Sequence, residues 1–270
     1  MILSRTTRYV LRYVALGYLL VLLVVPVGLI LWRTFTPGVG AFFESITTPA
    51  AISALQLSLL VVAIVVPLNV IFGVPTALVL ARNRFRGKSM LQAVIDLPFA
   101  VSPVVVGMAL ILLWGSTGLF GFLQNDFGIK IIFGFAGIVL ASIFVTVPYV
   151  VREVEPVLHE LGTDQEEAAS TLGSSGWQTF WRITLPSIKW GLMYGVVLTI
   201  ARTLGEYGAV VMVSSNLPGT SQTLTLLVSD RHARGAEYGA YAISTLLMAV
   251  AVVVLIAQVV LDARREKTTT

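Results

Sequence analysis

Long runs free of Asp, Glu, Lys and Arg constrain this chain more than any motif in it. Such runs extend from Tyr13 to Trp32, Ser45 to Ala81, Leu97 to Asn125, Ile131 to Val151 and Tyr238 to Leu261. A hydrocarbon core about 30 Å thick is crossed by about 20 helical residues rising about 1.5 Å each, so every run is long enough to span it. A sixth stretch, Trp190 to Ser215, is interrupted only by Arg202 and Glu206. The reading is an all-α polytopic membrane protein, one transmembrane domain over residues 1–270, with six helices at about 13–32, 54–81, 97–115, 131–151, 190–215 and 238–261. Pro49 and the Thr47-Thr48 pair assign the start of the second run to a loop. Pro98 and Pro103 predict kinked first turns in the third. Only 12% of the 270 residues are charged, against about 25% in soluble domains, which excludes a large extramembrane domain.

Composition also removes several chemistries. With no cysteine there is no disulfide framework, thiol nucleophile or thiolate metal site. Two isolated histidines, His159 and His232, make poor material for a metal cage and read as solvated polar residues. The net charge of +4 does not indicate a nucleic-acid surface, because the basic residues sit between apolar runs instead of gathering with aromatics. Gly87-Lys88-Ser89 looks like the end of a phosphate-binding loop, but Arg82 stands where its first glycine belongs and no strand precedes it. It reads as a basic connection.

Lys and Arg set the orientation. With an inside N-terminus, thirteen fall on inside segments (Arg5, Arg8, Arg12; Arg82, Arg84, Arg86, Lys88; Arg152, Arg182, Lys189; Arg264, Arg265, Lys267). Four fall outside, namely Arg33, Lys130, Arg231 and Arg234, so both termini are expected in the cytoplasm. The first span follows a basic N-terminus as a signal peptide does, but it is longer than a signal core and no small-x-small site closes it before Trp32, so it is read as retained.

The expected cytoplasmic loop, residues 152–189, carries six of the fourteen acids: Glu153, Glu155, Glu160, Asp164, Glu166 and Glu167. These read as a hydrated face, since no second element closes a pocket around them. Thr163 followed by Glu166 has the spacing of a capping box, which starts a helix at Asp164 and lets Gly173 end it in the left-handed region. A second amphipathic stretch, with Trp177, Phe180 and Trp181 on one face, leads to Leu185-Pro186 and suits a membrane interface or a groove on a partner protein. The order Glu167-Ala168-Ala169, three residues, Gly173, nine residues, Ile183, one residue, Leu185-Pro186 resembles the signature of binding-protein-dependent ABC-importer permeases at every defined position. The resemblance implies the type I importer permease fold. It also implies a coupling helix at Glu167, Ala168, Ala169 and Gly173 that inserts into a separate ATPase subunit, with Ile183, Leu185 and Pro186 setting the turn into the next span.

A second resemblance covers Ala201-Arg202-Thr203-Leu204-Gly205-Glu206-Tyr207-Gly208-Ala209, Ser214 to Thr220 and Thr223-Leu224, together with Asp96-Leu97-Pro98, Ser102-Pro103 and Val147 to Glu160. This looks like the sulfate/thiosulfate and molybdate branch of the permeases, and is most similar to its W-type sulfate/thiosulfate members over about residues 50–265. It implies sulfate or thiosulfate as cargo, with molybdate as the alternative. The implied partners are an extracytoplasmic sulfate-binding protein, two ATPase subunits carrying ATP and Mg, and a second, homologous T-type permease half. No cofactor is implied in this chain. No internal repeat supplies the second half, and a homodimer is the other arrangement.

Arg202 and Glu206 lie one helical turn apart inside a span, where ionisable residues are costly and face a cavity or each other. Two readings stand side by side. The pair borders the anion route, Arg202 lowering the barrier and Glu206 preventing a trap, or it locks the span against a neighbouring subunit. Ser214, Ser215 and Asn216 similarly offer hydroxyl and amide groups to an oxyanion or form a polar turn before Pro218-Gly219. Gly191 and Gly195, and Gly235 and Gly239, have the spacing of close helix contacts.

Carrying a dianion inward against 100 mV costs about 4.6 kcal/mol, which a chain without a nucleotide site must draw from a partner or from a coupled ion. A secondary transporter would instead distribute acids over several spans, whereas Glu206 is the acid well inside one. A membrane hydrolase would need a nucleophile beside a base, and the spans offer none.

Overall fold

The computed structural model describes the backbone of residues 5–269 and the side chains of residues 7–260. Of the basic residues that set the orientation, Arg5, Arg264, Arg265 and Lys267 have side chains outside the described residues. The chain forms α1 (Thr7–Phe35), α2 (Val39–Ile46), α3 (Pro49–Arg82), α4 (Lys88–Ala100), α5 (Pro103–Trp114) and α6 (Phe135–Leu161). After these come α7 (Asp164–Thr171), α8 (Gly176–Ser187), α9 (Lys189–Leu204), α10 (Gly208–Val213), α11 (Leu224–Ala233) and α12 (Glu237–Thr269). No strand occurs among the described residues.

Among the described residues four helices, α1, α3, α6 and α12, are long and apolar enough to cross a membrane. Two further pairs, α4 with α5 and α8 with α9, are bent by 114° and 70°, and six spans result when each pair supplies one. Both π-helical turns, Leu20–Val24 in α1 and Phe180–Thr184 in α8, end just before a residue followed by proline, Pro26 and Pro186. Proline lacks the N–H and crowds the carbonyl four residues back, and the wider turn relieves both.

The core is built by α3, α6 and α9, which pack on one another. Val74, Ala77 and Leu80 of α3 meet Val150, Val151, Val154 and Leu158 of α6 in one buried cluster. A Cβ on Gly191 would lie 2.7 Å from the Glu153 carbonyl oxygen, and one on Gly195 would lie 3.1 Å from Val150 Cα, so these glycines let α9 rest on the α6 backbone. The other pair behaves differently. Gly235 follows α11 and Gly239 seats the Arg231 side chain, so they form no helix–helix seam.

Element boundaries depart from the sequence reading for local reasons. The helix expected from residue 54 starts at Pro49, because Thr48 Oγ1 accepts from Ala51 N at 3.3 Å and proline suits the first helical position. The span expected from residue 97 is broken outright: Val101 and Ser102 are extended, as the residue before Pro103 must be, and residues 97–100 belong to α4. The helix expected to end at Val151 runs on to Leu161, so the loop expected from residue 152 begins as helix. α4 is fastened alongside it by the Arg152–Asp96 ion pair and by Gln92 Nε2 donating to Glu155 Oε1 at 3.1 Å. The span expected over 190–215 stops at Leu204 and resumes as α10.

α11 was not legible as a helix. It lies against α12 and α3, and Leu224 N is held by Ser58 Oγ at 3.0 Å. Burial lowers the Arg231 pKa, and its guanidinium donates to Ser45 O and Oγ, Thr48 Oγ1 and Gly239 O. This closes α11 over the α2–α3 turn.

Gly191→Leu is expected to cost about 1–3 kcal/mol through overpacking against backbone. It should be read as a lowered melting temperature of the detergent-solubilised protein. An unchanged melting temperature would show that α9 does not depend on this contact.

Candidate functional site

Two places gather the residues singled out in the sequence. The first is the α7–α8 elbow. Gly173 takes φ +83° and ends α7, with Ser174 N donating to Ala169 O at 3.0 Å. The expected capping box at Thr163 does not form. Thr163 Oγ1 donates to Glu167 Oε1 at 2.6 Å, and Glu166 turns inward. A capping box forms instead at Ser175 and Gln178, where it starts α8.

The signature residues divide by exposure. Glu167, Ala168 and Gly173 are exposed, Ala169 is buried and pins α7, and Ile183 and Leu185 are half-buried, Leu185 against the α3–α6 core. Pro186 is exposed. Beside them Leu172 is 88% exposed and Trp177 70% exposed, with Trp181 packed on Trp177 at 5.5 Å between ring centroids. The elbow is therefore an acidic and apolar knob held on a rigid base.

Sequence reasoning missed what holds it. Arg82 Nε lies 3.1 Å from Glu166 Oε2, and Arg82 Nη2 donates to Glu166 Oε1 at 3.3 Å. Thr184 Oγ1 donates to the same Oε1 at 2.9 Å, and Arg82 Nη1 donates to Leu158 O at 2.7 Å. Nothing in the local spacing announces a partner 84 positions away.

The second place is where two helix breaks face each other. α5 packs on α10; a Cβ on Gly208 would lie 3.0 Å from Pro103 Cβ, and one on Gly107 would lie 2.6 Å from Met212 Cβ. Glu206 sits in the break after α9, 2% exposed. Its Oε2 meets Arg202 Nη2 at 2.7 Å, while its Oε1 accepts from Ala209 N at 2.8 Å and so caps α10. Thr225 Oγ1 donates to Glu206 O at 2.8 Å, which joins α11 to the break.

The polar groups expected near the outer face are spent on one another. Ser214 Oγ donates to Ser221 O at 2.6 Å and accepts from Asn216 N at 2.9 Å. Ser215 Oγ pairs with Ser221 Oγ at 2.7 Å, and Asn216 Oδ1 accepts from Gln222 Nε2 at 3.1 Å. Other hydroxyls are engaged as well: Tyr207 Oη pairs with Ser229 Oγ at 3.0 Å, and Ser244 Oγ donates to Ala240 O at 2.9 Å. A hollow of about 550 Å³ is lined by Tyr207, Thr225, Ser229, His232 and Ser244. Hydroxyls scattered singly along α11 and α12 gave no sequence signal. Among the described residues no three His, Asp or Glu side chains converge as metal ligands would.

Glu206→Gln keeps an acceptor for Ala209 N, whereas Glu206→Ala removes both cap and ion pair. Thermal unfolding in detergent should show the alanine variant less stable than the glutamine variant by about 1 kcal/mol, the usual worth of an N-terminal cap. Equal losses would mean that the charge alone matters.

Comparison with known proteins agrees with this architecture. Residues 73–267 match the family described as binding-protein-dependent transport system inner membrane component. The sulfate transport system permease protein CysW of Synechococcus elongatus is 46% identical over 93% of this chain and 88% of its own length. The CysT permease of Synechocystis is 35% identical over 90% of this chain and 85% of its own. A bacterial alginate ABC transporter, crystallised with its alginate pentasaccharide-bound periplasmic protein, contains a chain that superposes with a TM-score of 0.74. The superposition covers 98% of this chain and 95% of that one at 18% identity, a likeness of fold. On the family match and these relatives, the chain belongs to the inner membrane components of binding-protein-dependent transport systems.

Proposed function

We propose that this chain is one permease half of an ATP-driven importer for sulfate. The observation that carries the reading is the elbow: a short helix with an exposed acid, an exposed leucine and two exposed tryptophans, braced from behind, is built to be gripped by another protein. The relatives named as sulfate permeases supply the cargo, and the greater identity to the CysW than to the CysT relative favours the W-type half, with a T-type chain as its mate. ATP and Mg belong to two partner ATPase subunits, and an extracytoplasmic binding protein hands over the anion. The basic connection between α3 and α4 supports a cytoplasmic position for that end of the bundle and for the elbow with it.

In this reading the ATPase contacts are Glu167, Ala168 and Gly173, together with Leu172 and Trp177. Ala169, Ile183, Leu185 and Pro186 position the elbow from inside. The anion route passes the opposed breaks, where Arg202 offers positive charge, Glu206 holds it in place, and the loop of Ser214, Ser215 and Asn216 shapes the outer mouth. Thiosulfate and molybdate share the tetrahedral anionic form and are the competing cargoes.

ATP-dependent uptake of labelled sulfate into vesicles holding the whole complex tests the cargo. Sulfate should be displaced by thiosulfate more readily than by molybdate, and the reverse order would assign a molybdate permease. Glu167→Lys should abolish uptake while the chain stays folded, and unchanged uptake would remove the elbow from coupling. Arg202→Gln should reduce uptake at least tenfold in assembled complexes. If that variant no longer assembles, the pair is a lock between subunits and not part of the route.

A further inference from the structure

Two adjacent glutamates in α7 have opposite fates. Glu167 points outward and is exposed, whereas the Glu166 carboxylate is drawn into the protein, where it receives Arg82 at 3.1 and 3.3 Å and Thr184 at 2.9 Å. Arg82 is the last residue of α3, Thr184 lies in the π turn of α8, and the remaining Arg82 contact, 2.7 Å to Leu158 O, reaches the last turns of α6. One small cluster thus joins the outward helix to both long core helices. Within α7 itself little else is buried: Ala169 is its one buried residue among those described, and the neighbouring Gly173 to Gly176 segment is mostly exposed.

We infer that Glu166, clamped by Arg82 and Thr184, is the positioning residue through which displacement of α7 is passed to α3 and α6. The inference rests on the elbow being the ATPase contact and adds the side chain that makes it mechanically effective. The hydrogen bond from Arg82 Nη2, the ion-pair contact of Nε and the bond from Thr184 hold the carboxylate from three directions, so a push on α7 moves the α3 terminus instead of sliding past it. The receiving helices extend far from the elbow. The α3 start packs, through Ala51 and Ala54, against Leu224 and Ile243. α6 carries α4 by the Arg152–Asp96 pair, and α4 ends at the break before α5, which packs on α10 and hence beside the Glu206 cap. α6 also packs on α10 directly, so the strut starts a series of helix contacts between the gripped elbow and the opposed breaks.

The test uses the complete complex with both permease halves, ATPase and binding protein in proteoliposomes, and reads sulfate uptake and ATP hydrolysis in the same preparation. The unaltered complex is the control for the importer reading itself: if it fails to move sulfate with ATP, that reading fails and the strut is not at issue. Glu166→Gln and Arg82→Gln should keep the ATPase bound and hydrolysing while sulfate uptake falls at least tenfold, so that more ATP is spent per anion. The double variant should be no worse than either single one, since the two act as a unit. Thr184→Val leaves the ion pair and should lower uptake two- to fivefold with hydrolysis unchanged, and it decides the matter if the charge variants do not assemble. Uptake and hydrolysis falling in proportion, unchanged uptake, or additive losses in the double variant would each overturn the assignment.

Discussion

Backbone N–H and C=O groups have no water to bond with in hydrocarbon, so a membrane chain can break a helix only where other protein covers the break. Much of this structure follows from that requirement. The chain breaks at Val101–Ser102 and again at Gly205–Tyr207, and the two places are put together by the packing of α5 on α10. Gly208 and Gly107 are small enough to let the segments meet. Glu206 then satisfies an amide at the start of α10 that an unbroken helix would have bonded by itself. The ionisable pair in the membrane is thus first a solution to a backbone problem, and any work it does on an anion is built on that.

The opposite end obeys a different economy. There water is available, and the chain exposes Leu172 and Trp177 although it could have buried them. Exposure of large apolar side chains on a short helix is tolerated because the base is rigid: Ser175 and Gln178 cap α8, Ala169 fills a gap, and Arg82 binds Glu166. An elbow loosely attached would yield under load, and the proposed contact with an ATPase subunit would place a load on it. Fold and function meet in the same requirement for stiffness.

The existence of the long apolar helices, the basic connections and the short helix from Asp164 ending at Gly173 were legible in the sequence because they depend on hydrophobicity and on neighbours within four residues. The spacing of Gly191 and Gly195 allowed the approach of α9, but the same spacing at Gly235 and Gly239 brings no two helix backbones together, so the pattern alone did not decide it. The errors were also local in origin. Thr48-Pro49 was read as a loop although the same pair is a good helix start, and Ser102-Pro103 as a kink although it ends one helix and opens another.

Sequence alone thus determined that this is a helical membrane protein, which connections are basic, and that a short helix ending at Gly173 precedes α9. Only the tertiary structure decided which of two adjacent glutamates faces inward, because the deciding partner, Arg82, is 84 residues away and is brought near by the packing of α3 on α6. It likewise decided that Ser214, Ser215 and Asn216 spend their polar groups on Ser221 and Gln222. Hydrophobic length is a sum over neighbours and can be read along the chain. The orientation of one carboxylate or hydroxyl depends on which donor is nearest in space, and that is fixed only once the helices have packed.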